Sequence, residues 1–520
     1  MEHFLLFADE NTYRFWQKNG AARVIAENAA SDLNLDQIAA AIKKLTPDYP
    51  QEFFLYPCFH PATVKLRTQI MSALSADSCG LEKLKAFQTD LLVLSKMRQT
   101  AFSAVNSDQR NAYFISAVRH YCRCAETLRE VTAAFADTAL SSLYTYVTAI
   151  TATDSYHSLL EESESLYQEI RYLSSLSLQF DFTHKTVRAE PPEESGLASQ
   201  IEAAAEQILG LKLDLTYSVV NSNPITAVEE NLIGILKMRK PELFSALDAF
   251  YEKNKTLDFY AILDLREQLL YYTGYLDFVR KYKDKGFSFV FAEKNDEGFA
   301  AKGLYDLSLA VRLGDANAVI SNDLSLRTGE IFVLSGANQG GKTTFLRAVG
   351  QCITLAAAGY PVPASQCGLW DCDCLITHFN RPETQEKSRL EDEIDRVKAV
   401  LPYLTQRSVI LFNECFVGTR RKDAVILSHK LFEKIFSCGA TCGFVTHYFE
   451  LSLEDPRLIS LVAQISDDGL EKRTYHILRY PPDGLAHARS IAEQCGATYE
   501  DLMKLIGMSD EACGRNPLKK

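Results

Sequence analysis

A glycine-rich segment in the second half of the chain constrains the fold more than any other feature. Residues 336–343 read Gly-Ala-Asn-Gln-Gly-Gly-Lys-Thr and fit the pattern G-x-x-x-x-G-K-[ST] in full. An apolar run at 331–334 precedes the segment, and a helical pattern at 344–358 follows it. A strand, a glycine loop and a helix in this order turn backbone N–H groups inward around a polyphosphate. The sequence therefore predicts a nucleoside triphosphate site.

The residue types in this segment each have a predicted role. Lys342 reaches the terminal phosphates, and the hydroxyl of Thr343 is available to Mg²⁺. A solvated glycine loop is the alternative interpretation, and the flanking strand and helix argue against it. We expect ATP and Mg²⁺ as cofactors. The predicted nucleotide-binding residues of the segment are Gly336, Ala337, Asn338, Gln339, Gly340, Gly341, Lys342, Thr343 and Thr344.

Composition limits the class of protein. The chain has 520 residues, 47% of them hydrophobic, which suffices for two or three globular domains. A net charge of −12 argues against bulk electrostatic binding of nucleic acid, so any DNA contact must be local. No apolar run approaches the roughly 18 residues of a membrane span, and no basic segment opens the chain. The 13 scattered cysteines, without a C-x-x-C pair, favour reduced thiols and a cytoplasmic location.

Helical periodicity dominates the first half of the chain, from about residue 20 to residue 285. Two apolar stripes recur at steps of three and four residues, at 81–97 and 227–238, and are predicted to be core. Period-two alternation at 176–183 and 211–217, with a Pro- and Gly-containing linker between, predicts strands. We therefore predict a helical domain at 1–285 with a small strand-bearing insertion at about 176–219.

Short apolar runs separated by helical stretches follow residue 285. Strands interleaved with helices predict an α/β layer with a largely parallel sheet, here a second domain at 286–520. The predicted strands are 287–292, 318–320, 331–334, 374–378, 409–412 and 441–445.

Two of these strands end in polar residues that suit phosphate chemistry. The run at 409–412 leads into Asn413 and Glu414, which is the form of a Walker B strand with asparagine where an aspartate normally supports Mg²⁺. Glu414 is the candidate that polarises the attacking water. His447 follows the strand at 441–445 and is predicted to sense the γ-phosphate. The alternatives are a strand that runs into a polar turn and a structural histidine.

Together these segments resemble the ATPase domain of the MutS family of mismatch-repair proteins, a branch of the ABC-type ATPases. The resemblance also includes Ser388 with Glu393 five residues on, and Asp483-Gly484 before a closing pair of helices. The order and spacing are shared over about residues 287–507. The resemblance implies an all-helical core and lever domain with a clamp-like insertion, followed by an ABC-type P-loop NTPase domain.

The resemblance also implies partners and further site residues. Two subunits would sandwich two ATPs as a homodimer, and Ser388 of one subunit would touch the γ-phosphate bound to the other. Asn338 would contact phosphate, and Val319 and Ile320 would lie by the adenine. DNA is the favoured partner. If DNA binds, its phosphates are expected to contact basic residues of the helical domain and its strand insertion, with a solvated basic face as the alternative: Lys185, Arg188, Lys237, Arg239 and Lys240.

The chain also departs from the family. Repair-competent members carry an amino-terminal mismatch-reading domain with a Phe-x-Glu wedge. Here that tripeptide occurs at 250–252, 291–293 and 412–414, in a helical stretch, a domain junction and a strand. We therefore expect no mismatch specificity. Two alternatives stay open: a nucleotide-gated scaffold with negligible hydrolysis, favoured by Asn413 and opposed by Glu414, and an ABC-type ATPase that acts on a protein or RNA partner.

Overall fold

The computed structural model describes residues 4–135, 137–174, 177–181, 186–190, 227–336, 338–380, 389–448, 451, 455–465 and 473–479. The chain divides into two compact units, one made of residues 3–72 and 270–520 and the other of residues 73–269. This division rests on spatial contacts. The domain boundary predicted near residue 286 rests instead on the sequence, which changes there from helical patterns to strand patterns. A division by contacts and a division by type of secondary structure need not coincide.

Helices dominate the described residues before position 285. Polar residues cap several of them: Asp77 accepts from the backbone N–H of Gly80 at 2.9 Å, and Asn106 accepts from that of Gln109 at 3.0 Å. The helices are α1 (Glu10–Lys18), α2 (Gly20–Asp32), α3 (Leu35–Lys43), α4 (Gln51–Leu55), α5 (Pro61–Ala76), α6 (Ser78–Ser103), α7 (Ser107–Ala133), α8 (Ser141–Thr151), α9 (Asp154–Ser174), α10 (Ala227–Arg239), α11 (Pro241–Asn254), α12 (Tyr260–Leu263) and α13 (Leu265–Lys283).

The two predicted core stripes differ in outcome. In α6 the first stripe is buried, as Leu84, Phe87 and Leu91 each show 0% exposure. In α10 the side chains of Ile235 and Met238 are 38% and 77% exposed, so the prediction that they belong to the core is wrong. Periodicity indicates that a helix has an apolar face, but it does not indicate whether another element covers that face.

The strand-bearing insertion begins with a hairpin. Strands β1 (Ser177–Asp181) and β2 (Thr186–Glu190) pair antiparallel, with Ser177 opposite Glu190. The strand predicted from the first alternation is confirmed, and β2 was not predicted. The second alternation, at 211–217, lies outside the described residues.

Strands and helices alternate after residue 285. The strands are β3 (Glu293–Lys294), β4 (Gly298–Leu304), β5 (Asn322–Arg327), β6 (Ile331–Gly336), β7 (Gln366–Leu369), β8 (Cys374–Phe379), β9 (Ser408–Asn413), β10 (Thr441–Val445), β11 (Leu458–Ile465) and β12 (Arg473–Arg479). The helices are α14 (Leu307–Leu313), α15 (Lys342–Ala357), α16 (Arg389–Val400) and α17 (Arg421–Cys438).

In the part of the chain that the structure describes, the larger sheet has six strands in the order β12-β11-β6-β10-β9-β8. All neighbouring pairs are parallel except β11 and β12. The largely parallel sheet is therefore confirmed, with β6, β8, β9 and β10 in the predicted places. Because parallel strands share one carboxyl edge, the residues that follow β6, β9 and β10 meet there.

Two predicted strands are wrong. Residues 287–292 form only an isolated bridge between Val290 and Val362, and residues 316–318 form a 3₁₀ turn that leads into 319 and 320. Phe287 is buried because its ring packs on Tyr305, with centroids 5.4 Å apart, and this burial, not strand pairing, accounts for an apolar residue at this position. The four-stranded sheet β3-β7-β4-β5 was not predicted.

Residues 3–72 pack within the unit that carries this sheet. Asp32, at the end of α2, accepts from the Thr377 hydroxyl at 2.7 Å, and its backbone carbonyl accepts from Arg347 Nε at 2.9 Å. The carbonyl of Leu33 accepts from Gln351 Nε2 at 2.8 Å. The beginning of the chain is thus bonded to both α15 and β8. Within the described residues, no helix has the length and apolar character needed to cross a membrane.

Candidate functional site

The glycine-rich segment forms a tight loop between β6 and α15. Gly336 has φ of 118°, and a Cβ there would lie 3.0 Å from backbone atoms of Ala463. Gly341 has φ of 89° and stands as the N-cap of α15, where a Cβ would lie 3.3 Å from the ring of Tyr475. Glycine is required at both positions, because a side chain would be strained and crowded there. Strand β6, the two glycines and helix α15 therefore follow one another in the predicted order, and nucleotide binding by the loop stays a prediction.

Lys342, the first residue of α15, reaches back across the loop. Its side chain is buried, and Nζ donates to the carbonyl of Gly336 at 2.9 Å. Burial lowers the pKa of the Lys342 ammonium from its ordinary value, and the Glu414 carboxylate opposes that shift. The ammonium thus lies close enough to Glu414 to interact with it electrostatically.

Thr343 joins the loop to the end of β9. Its hydroxyl donates to Oδ1 of Asn413 at 3.0 Å, although β10 separates β6 from β9 in the sheet. Two uncharged oxygens therefore face each other at the carboxyl edge. Hydroxyl and carboxamide oxygens are hard ligands of the kind that Mg²⁺ accepts, so this donor pair fits the predicted metal.

Glu414 and His447 form a second contact at the same edge. His447 Nε2 lies 3.0 Å from Glu414 Oε1, and the backbone N–H of Glu414 donates to the carbonyl of Val445 at 2.9 Å. Both side chains are about one-third exposed, so the carboxylate remains open to solvent. A carboxylate oriented by an imidazole and open to water can act as a general base.

The other predicted residues lie in varied settings. Asn338 and Gln339 are exposed on the loop, Val319 is half-buried, and Ile320 is 38% exposed just before β5. Ala337 and Ser388 lie outside the described residues. The structure thus brings Lys342, Thr343, Asn413, Glu414 and His447 together at one sheet edge, and it does not test the position of Ser388.

Two residues of β12 contact the loop and were not predicted. Arg473 donates to Oε1 of Gln339 at 2.6 Å, and the ring of Tyr475 lies against Gly341. The side chain of Asn322 bonds to the backbone of this strand at the carbonyl of Tyr475. The sequence pattern carried no indication of β12, because its residues alternate only weakly between apolar and polar types.

The residues predicted to contact DNA phosphates lie in the unit of residues 73–269. Nζ of Lys237 pairs with Asp108 at 2.7 Å, and Nζ of Lys240 lies 4.0 Å from Glu169. Arg239 is exposed in α10. Arg188 lies in β2, and Lys185 falls outside the described residues. Two of these cations therefore already have a carboxylate partner, which reduces the positive field that they offer to DNA.

The segment that carries this sheet edge is similar in sequence to known proteins. Residues 332–474 match the family model for MutS domain V. The chain is also similar to the DNA mismatch repair protein MutS of two strains of Thermus thermophilus and of Thermus caldophilus, at 31% identity over 186 residues in each case. The matched segment covers 35% of this chain and 23% of each relative. The chain therefore spans about a quarter of the length of the curated relatives that it matches.

Proposed function

This chain is MutS-related, and we propose that it binds ATP with Mg²⁺ and hydrolyses it to ADP and phosphate. One observation carries the proposal: the loop residues Lys342 and Thr343 meet Asn413, Glu414 and His447 at a single edge of the parallel sheet. A cation, two oxygen ligands and a carboxylate base are the groups that phosphoryl transfer to water requires.

The chemistry follows from the positions of these side chains. Glu414, held by His447, orients a water molecule and draws on its proton, while the water oxygen bonds to the γ-phosphorus. The bond from that phosphorus to the β–γ bridging oxygen breaks as this happens. Lys342 exchanges its contact with the Gly336 carbonyl for the phosphate oxygens and offsets their charge. Mg²⁺, held through Thr343 and Asn413, would supply further positive charge at the phosphates.

We further propose the assembly that the family resemblance implies. Residues 286–520 form an ABC-type nucleotide domain, and residues 1–285 form the core and lever domain. Two chains close as a homodimer around two ATPs, with Ser388 of each completing the site of the other. Closure then moves the levers. The relation to MutS supports this proposal, because the matched segment includes the loop, the Asn413-Glu414 pair and His447.

DNA is the proposed partner, since the relatives are named as DNA mismatch repair proteins. A nucleotide-gated scaffold that hydrolyses negligibly is the second candidate, and the neutral side chain of Asn413 is the observation that favours it. An ATPase that serves a protein or RNA partner is the third, favoured by the net charge of −12. The three candidates differ in ATP turnover and in its response to DNA.

Asn413→Asp should lower the Mg²⁺ concentration needed for half-maximal ATP turnover. The amide oxygen of Asn413 accepts from Thr343 but lacks the negative charge that favours a cation. A carboxylate keeps that acceptor and adds the charge, so we expect a decrease of about tenfold, the scale of one charge-assisted contact. Steady-state turnover measured across a Mg²⁺ titration gives the result.

Asn295→Asp is the matched control for that substitution. Asn295 Oδ1 accepts from the backbone N–H of Glu297 at 3.2 Å, a contact that aspartate preserves. The control adds the same charge between β3 and β4, and the Mg²⁺ requirement should not change. If Asn413→Asp leaves the requirement unchanged or raises it, another group supports the metal.

Matched and single-mismatch duplexes should bind equally, within about twofold, and affinity should fall steeply with salt. The reason is that the available contacts are to phosphates, from residues such as Arg188 and Arg239, which carry no sequence information. The protein is titrated with homoduplex, one-base-mismatch and four-way-junction DNA at two salt concentrations, and ATP turnover is followed in parallel.

Each outcome of this titration selects among the candidates. Stimulation of turnover by any of the three DNAs supports a DNA-dependent ATPase. Preference for the mismatch at both salt concentrations contradicts the expected loss of mismatch reading. Turnover without binding to any DNA favours the protein or RNA partner, and nucleotide binding without turnover favours the scaffold.

A further inference from the structure

The turn that carries Glu414 has an unusual backbone. Glu414 and Phe416 have φ of 58° and 60°, which lie in the left-handed region that side chains other than glycine rarely adopt. Only Cys415 separates them. A backbone of this kind persists when surrounding contacts hold it, and such sites are frequent where function requires a fixed geometry. The contacts that hold this turn therefore bear on the position of the Glu414 carboxylate.

Among the described residues, hydrogen bonds from two different elements hold the turn. In the first, the N–H of Glu414 donates to the carbonyl of Val445 in β10 at 2.9 Å. In the second, the N–H of Phe416 donates to Oε1 of Glu393 in α16 at 2.8 Å. The second bond is fully buried, and Glu393 is only 3% exposed. A buried carboxylate that accepts from a backbone N–H makes a strong, charge-assisted contact.

The surroundings of Glu393 include two further polar side chains. His378 Nε2, at the end of β8, lies 3.8 Å from Glu393 Oε1 and makes no hydrogen bond to any residue that the structure describes. The ligand atoms of His378, Glu393 and Cys415 all lie within 4.8 Å of one another, and all three residues are buried. A metal ion is thus an alternative role for this group. Against it, Glu393 Oε1 already accepts from Phe416, and the described residues supply three candidate ligands where a structural zinc site takes four.

We infer that Glu393 is a positioning residue for ATP hydrolysis. Its buried carboxylate fixes the Phe416 amide, and the strained turn in consequence holds the Glu414 carboxylate beside Lys342 and His447. This inference rests on the proposed hydrolysis of ATP. It places part of the support of the general base in α16, in addition to the bond from β10. Glu393 itself touches neither nucleotide nor water in this scheme.

The test compares Glu393→Ala with Glu393→Gln. Alanine removes the acceptor and leaves the Phe416 N–H unpaired, whereas the glutamine carbonyl can still accept from it. We expect Glu393→Ala to lower kcat by about tenfold or more, and Glu393→Gln to restore most of that loss. Affinity for ATP, measured at equilibrium with a fluorescent analogue, should change less than about twofold in both, since the loop is untouched.

A second measurement reports on the turn without activity. Hydrogen exchange of the peptide that contains Phe416 should be faster in Glu393→Ala than in wild type, with Glu393→Gln in between. Glu391→Ala and Glu391→Gln make the same chemical changes at an exposed position of the same helix. Neither control should alter exchange or kcat. A thermal melt of each variant separates local loosening of the turn from global unfolding.

Three results would overturn the inference. The first is an unchanged kcat in Glu393→Ala despite faster exchange at Phe416. The second is a loss of kcat that Glu393→Gln does not restore at all. The third is a stoichiometric metal ion in the purified wild-type protein that Glu393→Ala removes, which would make Glu393 a ligand. A wild-type chain that binds ATP without turnover would instead refute the proposed hydrolysis, and the exchange measurement distinguishes that case because it does not depend on activity.

Discussion

Replacing Lys342 with alanine should lower ATP turnover by about 10²-fold or more with the fold intact. The Lys342 ammonium is buried against the loop. It supplies the positive charge that would face the terminal phosphates of bound ATP. One of its partners in the structure is the Gly336 carbonyl, a contact that phosphate oxygens can replace. The loop backbone is shaped by Gly336 and Gly341 and not by this side chain, so the loop should still form. Steady-state turnover and equilibrium ATP binding measure the effect.

Lys302→Ala is the control for the loss of one lysine. Lys302 is exposed in β4, and its removal should change neither turnover nor binding. Far-UV circular dichroism and a thermal melt check that Lys342→Ala is folded. Normal turnover in a folded Lys342→Ala protein would refute the assignment of the loop to nucleotide binding.

Glu414→Gln should slow hydrolysis by about 10²-fold or more and accumulate a closed dimer in ATP. The amide oxygen of glutamine can still accept from His447, whose Nε2 lies 3.0 Å from Glu414 Oε1, so the turn should keep its geometry. The amide is far less basic than the carboxylate and does not draw a proton from water. Light scattering in the presence of ATP reports the dimer.

Adding Ser388→Arg to Glu414→Gln should abolish that dimer. If the Ser388 hydroxyl meets the γ-phosphate bound to the other subunit, an arginine side chain is too large for the closed arrangement. Ser103→Arg, at the end of α6, adds the same side chain to the same background and should leave the dimer intact. A double variant with Ser388→Arg that dimerises as well as Glu414→Gln alone would argue against a composite site.

Much of the larger sheet could be predicted because buried parallel strands have continuous apolar runs in their sequences. The central strands β6, β9 and β10 are each fully or nearly fully buried, so apolar content and position agree. The same criterion fails at 287–292. There Phe287 and Phe289 are buried by aromatic packing, and the backbone makes only one isolated bridge. An apolar run therefore indicates that its side chains are buried, but it does not by itself indicate that its backbone pairs with another strand.

Some contacts of the candidate site could likewise be inferred from the sequence, and others could not. The contact of Thr343 with Asn413 follows from the rule that parallel strands end at one edge. The contact of Glu393 with the Phe416 amide could not be inferred, because it depends on where α16 lies and on a left-handed residue that is not glycine. The contacts of Arg473 and Tyr475 with the loop depend on the antiparallel edge strand β12, which periodicity did not indicate.

The bonds from Asp32 and Leu33 to α15 and β8 set an order for folding during synthesis. Residues 3–72 leave the ribosome before residues 73–269, and their partners in the same compact unit follow only after all of that segment. At about 5–20 residues per second, the early segment must wait roughly ten to forty seconds for them. During that interval its apolar side chains, such as Leu33 and Ile38, lack their final covering. Residues 3–72 are therefore open to aggregation and to chaperones during this interval.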